Sequence, residues 1–301
     1  MADDRLIVVV GATGNQGGAV ARALTEEGGW RVRGLSRDPG KPEARALTEI
    51  GVEMVSADLD DRSSLDRAFK DAYGVFSVQN YWTVGFDAEV RQGKAVADAA
   101  RAAGVDHLVY SSVGAAERST GLPHFESKWQ IENYILELGL PVTVSRPVFF
   151  MENFNGPYFK PALREGKLVV ALGPETRLQM IALEDLGYFV AHAFGLPQQF
   201  IGESIEIAGD ELTMPQVAAT FSRVTGCPVE FVRQDIAEVR SANAEWANML
   251  EWFGREGYRA DFPYLRQIHP GLLTLEHWLQ KSEWVPVAAR RKDPGSASRC
   301  R

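Results

Sequence analysis

The chain has 301 residues, 45 % hydrophobic, 24 % charged and 10 % aromatic, a composition that buries a full core and excludes a disordered protein. Its 32 basic and 40 acidic side chains give a net charge of −8, which repels a phosphate polymer and argues against nucleic acid as ligand. No apolar run reaches the roughly 20 residues of a membrane span, the opening MADDRLIVVV has acids where a secretory leader needs positive charge, and the two cysteines, Cys227 and Cys300, cannot make a disulfide framework; a soluble cytoplasmic protein is expected.

The first half alternates short β-branched runs with longer helix-patterned stretches, the signature of βαβ units on a parallel sheet. Strands are predicted over 6–10, 31–35, 52–56, 74–78, 107–111 and 142–146. Helices are predicted over 15–27, 43–50, 62–70, 87–103 and 125–138. The run LIVVV reads as a strand buried on both faces. From Met151 the alternation fails: strand-like pieces (167–172, 204–207, 229–233) lie among helices expected near 183–194, 215–224, 237–256 and 274–280. The expectation is an α/β protein, a Rossmann-type doubly wound parallel sheet over 1–150 with a smaller mixed lobe over 151–286 that can return one strand to the sheet. Residues 287–301 hold five basic side chains against Asp293 and read as a solvated, disordered tail.

The segment GATGNQGG, 11–18, leaves the first strand and opens the first helix. In that setting Gly11 permits the tight turn, Gly14 lets backbone N–H groups approach a pyrophosphate, and Gly17 lets helix pack on strand. The helix N-terminus adds unpaired donors and a positive dipole. An acid about 20 residues on would bind a ribose 2′-hydroxyl. Here the second strand ends Leu35-Ser36-Arg37, with Lys41 beyond, which favours a 2′-phosphate and hence NADP(H). The competing possibility is that Asp38 pairs with Arg37. Asp58 closes the third strand where an adenine belongs, and Asp60 or Asp61 reads as a helix N-cap. The five histidines lack metal-ligand spacing, and no metal is expected.

Ligands of open α/β sheets lie beyond the carboxyl ends of the strands, which points to Gln79-Asn80-Tyr81-Trp82, Ser111-Ser112 and Phe150-Met151-Glu152-Asn153. His124 and Lys128 stand one turn apart on one helix face. Carbonyl reduction needs a proton donor and a group that holds the oxyanion, so His124, Lys128 and Ser111 are the candidate catalytic residues. Tyr81, Trp82, Phe149 and Phe150 are the expected lining of an apolar pocket.

In these residues the chain resembles an NmrA-like protein, of the atypical short-chain dehydrogenase/reductase type, and within that family the NADPH-sensing redox-sensor group. The likeness rests on GATGNQGG, Arg37, QNYW at 79–82, EVRQGK at 89–94, HFESK at 124–128, FMEN at 150–153 and TLEHWL at 274–279. It implies NADP held by Gly11, Ala12, Thr13, Gly14, Asn15, Gln16, Gly17, Arg37, Lys41, Asp58, Leu59, Gln79, Asn80, Tyr81, Arg91, Lys128 and Phe150, Met151, Glu152, Asn153. Ser111 and Lys128 fit the short-chain dehydrogenase spacing, but His124 stands at the tyrosine position. Two functions follow: an NADPH-dependent reductase of a small carbonyl, quinone or imine, or a redox sensor that acts through a regulatory protein partner. A homodimer is compatible with both.

Overall fold

The computed structural model describes residues 5–284. The basic tail and Cys300 lie outside the described residues. In chain order the elements are β1 Arg5–Val9, α1 Asn15–Glu27, β2 Trp30–Ser36, α2 Pro42–Glu49, β3 Glu53–Ser56, α3 Arg62–Ala68, β4 Gly74–Ser77, α4 Tyr81–Val84, α5 Phe86–Ala103, β5 His107–Ser111, α6 Pro123–Glu137 and β6 Val142–Pro147. There follow β7 Phe149–Phe150, α7 Lys160–Arg164, β8 Lys167–Val170, β9 Arg177–Ile181, α8 Leu183–Gly195, α9 Pro197–Phe200, β10 Ser204–Ile207, β11 Asp210–Thr213 and α10 Met214–Thr225. The described chain closes with β12 Glu230–Arg233, α11 Ile236–Ala242, α12 Ala244–Arg255, α13 Phe262–Ile268 and α14 Leu275–Lys281.

Two compact units result, one of Met1–Pro147 with Leu183–Ile207, the other of Val148–Ala182 with the chain from Ala208 on. The contiguous division at residue 150 is therefore corrected. Leu183–Ile207 returns to the first unit and brings two helices as well as the strand.

In the first unit seven strands lie side by side in the order β10-β6-β5-β4-β1-β2-β3, every neighbouring pair parallel. This is a doubly wound, Rossmann-like sheet, with the order reversing between β1 and β4. Leu6, Val8 and Val10 enter a core with Val75, Val96, Leu108, Ile131 and Val144, which joins one sheet face to α3, α5 and α6. On the other face α8 packs on α1. A Cβ at Gly187 would stand 2.8 Å from the Ala19 carbonyl oxygen, so only glycine allows that approach.

The second unit is built from shorter pieces. Its three-stranded sheet runs β11-β9-β7, with β11 antiparallel and β7 parallel to β9, and β12 pairs with β8 in a two-stranded sheet. Phe154 meets Phe159 and Phe221 edge-on and Phe149 at a tilt, forming an aromatic core. The helix expected over 237–256 is two, because Asn243 takes an extended conformation and its side chain accepts the Trp246 N–H to cap α12.

Candidate functional site

The loop between β1 and α1 shows why its glycines stand where they do. Gly11 sits at φ +65°. A Cβ at Gly17 would lie 2.8 Å from the Val10 carbonyl oxygen and nearer still to that of Gly11, so the helix can start against the strand only with glycine there. Gly14 is the N-cap of α1; no side chain caps the helix and no acid occupies its first turn. The first backbone donors are thus left for an anion from outside, with the helix dipole behind them. Gln16, in that turn, accepts a 2.6 Å hydrogen bond from the Ser111 hydroxyl at the end of β5. Ser111 and Ser112 are both buried.

Arg37 is exposed just past β2 and makes no ion pair or hydrogen bond among the described residues. The alternative partner is otherwise engaged. The Asp38 carboxylate accepts the Gly40 N–H at 2.9 Å in a turn that leads into α2, whose N-cap is the exposed Lys41. Past β3, Asp58 is exposed and its carboxylate accepts the Asp60 N–H at 3.0 Å, while Leu59 packs against the core. Asp61 caps α3 as expected. Asp60 does not cap: it takes a 2.8 Å bond from Gln92 and a 3.0 Å bond from Arg91. Gln92 first, then Arg91 and the nearby Arg37, hold its carboxyl below the usual range against a small burial penalty.

At the end of β4 the Gln79 side chain is buried and donates to Ser77 at 3.0 Å. Asn80 is exposed and precedes α4. The His124 ring is buried against the rings of Tyr81, Trp82 and Phe125, at centroid distances of 5.6, 4.9 and 4.8 Å. Lys128 is drawn the other way, into a 2.9 Å ion pair with Glu89. Phe150, Met151, Glu152 and Asn153 belong to the second unit. There Met151 is fully buried, Asn153 is exposed, and Glu152 accepts the Trp278 indole N–H at 3.0 Å.

The NmrA-like family model matches residues 3–279. The chain is 32 % identical over 249 residues to an NmrA-like family domain-containing oxidoreductase of Cladobotryum sp., covering 73 % of this chain and 74 % of that one. This chain belongs to the NmrA-like family. A Dictyostelium discoideum NmrA-like family domain-containing protein is 28 % identical over 91 % of this chain and 97 % of its own. Among solved structures, NmrA, a negative transcriptional regulator in complex with NADP, superposes with a TM-score of 0.77 at 22 % identity, covering 93 % of this chain and 99 % of its own. The Citrobacter sp. triphenylmethane reductase complexed with NADP(H) does so at 0.78 and 20 %, covering 92 % and 99 %. At these identities the likeness is one of fold.

One residue of this NmrA-like chain that sequence reasoning passed over is Glu89. Its side chain is fully buried and accepts from Lys128, from the Ser127 hydroxyl and, at 3.0 Å, from the Tyr81 N–H. A signal was present, because Glu89 falls on the α5 face that also carries Gly93, Val96, Ala97 and Ala100. Glu132 on α6 is a second buried carboxylate, held by both ends of the Arg146 guanidinium at 3.1 and 2.7 Å.

Proposed function

We propose that this NmrA-like chain binds NADP(H) at the carboxyl ends of β1, β2 and β4 and is an NADPH-dependent reductase of a small carbonyl, quinone or imine. The observation that carries the proposal is the uncapped α1 N-terminus beside an unpaired Arg37. The backbone donors of the first α1 turn, which starts at Asn15, hold the pyrophosphate, and Arg37 with Lys41 takes the 2′-phosphate. Lys128 spends two of its three donors on Glu89 and the Gln79 carbonyl, and its remaining donor suits a ribose hydroxyl. When bound, the coenzyme supplies hydride chemistry. His124 is the proton donor of this scheme, behind an aromatic wall of Tyr81 and Trp82. Relatives named as oxidoreductases, and a neighbouring fold that is an NADPH-dependent quinone oxidoreductase from Escherichia coli, support the reaction class.

NmrA has been solved with NADP and with NAD, so the choice of coenzyme rests on Arg37. Titration calorimetry with both reduced coenzymes tests it. Arg37→Ala is expected to weaken NADPH roughly 10- to 100-fold and leave NADH little changed, as for loss of a charge-assisted hydrogen bond. An unchanged ratio removes the NADP assignment.

A second function is supported by the histidine at position 124, where short-chain dehydrogenases place a tyrosine. In it the chain reports the NADPH/NADP⁺ ratio to a regulatory protein partner and turns nothing over. A panel of carbonyls and quinones, followed by NADPH absorbance, separates the two: turnover abolished by His124→Ala establishes the reductase, and NADPH binding without turnover the sensor.

A further inference from the structure

We infer that Glu89 is a positioning residue: it fixes the Lys128 ammonium and ties it to the α4 turn, so that the aromatic wall beside His124 is seated only when Lys128 is. The inference deepens the nucleotide proposal and rests on its assignment of Lys128.

A fully buried carboxylate is rare and persists only with partners that replace water. Glu89 has three, drawn from two separate segments. Lys128 and Ser127 come from α6, and the Tyr81 N–H comes from the first turn of α4. The close approach of α5 and α6 makes the reach possible, since a Cβ at Gly93, one turn beyond Glu89, would meet Ile131 Cδ1 at 2.5 Å.

The pair closes on one corner of the backbone. Lys128 donates to the Gln79 carbonyl at 3.3 Å, and Glu89 accepts from the Tyr81 N–H at 3.0 Å, so Gln79-Asn80-Tyr81 is clamped from both sides by one salt bridge. What the corner carries is the aromatic wall. The Tyr81 and Trp82 rings lie 5.3 Å apart and both lean on His124. Trp82 is 60 % exposed and no side chain caps α4, so the clamp adds a side-chain tie to a turn otherwise closed by its own backbone hydrogen bonds.

The test uses the full-length chain and two readouts. Without ligand, hydrogen exchange of the Tyr81–Gly85 amides is followed in wild type and Lys128→Met. That substitution leaves the acceptor of the Tyr81 amide in place, yet exchange is expected to accelerate about tenfold or more, as for local opening of a turn that has lost its tie. With NADPH as probe, Glu89→Gln keeps shape and acceptor and removes charge. It is expected to raise Kd about tenfold beside Lys128 and less than about twofold in the Lys128→Met background, the mark of residues that act through each other. Should Glu89→Gln not fold, Ser127→Ala, which removes one donor only, takes its place in the cycle. Equal losses in both backgrounds mean mere scaffolding and overturn the inference, as does unchanged exchange in Lys128→Met. A wild-type chain that takes up no NADPH removes the nucleotide proposal, and the ligand-free exchange then decides the clamp by itself.

Discussion

From Val10 to Gly17 the chain is shaped by its glycines and by the uncapped end of a helix; around Gln79, Tyr81 and Lys128 it is shaped by an ion pair whose partners lie 39 positions apart. The glycine loop tolerates no added atom at its tightest point. In the clamp the loss of one charge leaves the other without its partner. Geometry set by local spacing fails through steric conflict, and geometry set by distant charges fails through an orphaned partner.

The largest expected effect is on the backbone side. Gly17→Ala forces its methyl into the carbonyls of Gly11 and Val10 and should cost more than about 3 kcal/mol, leaving little folded protein by thermal melting and soluble yield. Gly14→Ala sharpens the contrast: its Cβ would stand 3.2 Å from the Gly11 carbonyl oxygen, and a folded protein with weakened NADPH binding is expected. Normal stability of Gly17→Ala would break the comparison.

On the side of buried polar groups, His107 shows burial without a counter-charge. Burial alone holds its imidazole down at about 4, with a 2.8 Å contact to Thr143 as its side-chain hydrogen bond. The unfolded chain takes up that proton near 6.5, so the folded state keeps its full advantage above pH 6.5 and loses it as pH falls toward 4, by about 3 kcal/mol at most. Melting temperature against pH, for wild type and His107→Gln, should show the variant lacking this part of the acid slope; identical slopes would remove the assignment. The smallest effect belongs to the exposed pair of Arg91 and Asp60. Both side chains are about half in water, at 61 % and 45 %, and Asp60→Ala is expected to change stability by less than about 1 kcal/mol, an effect that salt reduces further.

The same contrast governs what could be foreseen. The parallel strands are continuous apolar runs covered on both faces, and His107–Ser111 and Asn15–Glu27 fall on their predicted limits. The glycine loop is legible because Gly14 and Gly17 answer to backbone within seven positions and Gly11 to its own positive φ. Glu89 is not, since an acid on an amphipathic helix ordinarily points to water, and only the register of Gly93, Val96 and Ala97 betrays it. The strands Arg177–Ile181 and Asp210–Thr213 escaped for a related reason: RLQMI and DELT are short and half polar, and antiparallel pairing makes them a sheet. Asn243 carried a readable N-cap signal inside what looked like one long helix.

The return of Leu183–Ile207 has a practical consequence for dissecting the molecule. An expression boundary drawn after Pro147 would strip β6 of its β10 neighbour and bare the flank of α1 on which α8 leans through Gly187. Such a fragment would carry an open, adhesive sheet edge and an unsupported first helix. Joining Pro147 to Leu183 through a short linker and ending the chain at Ile207 keeps the first unit whole and follows the fold's own seams far better than that truncation does.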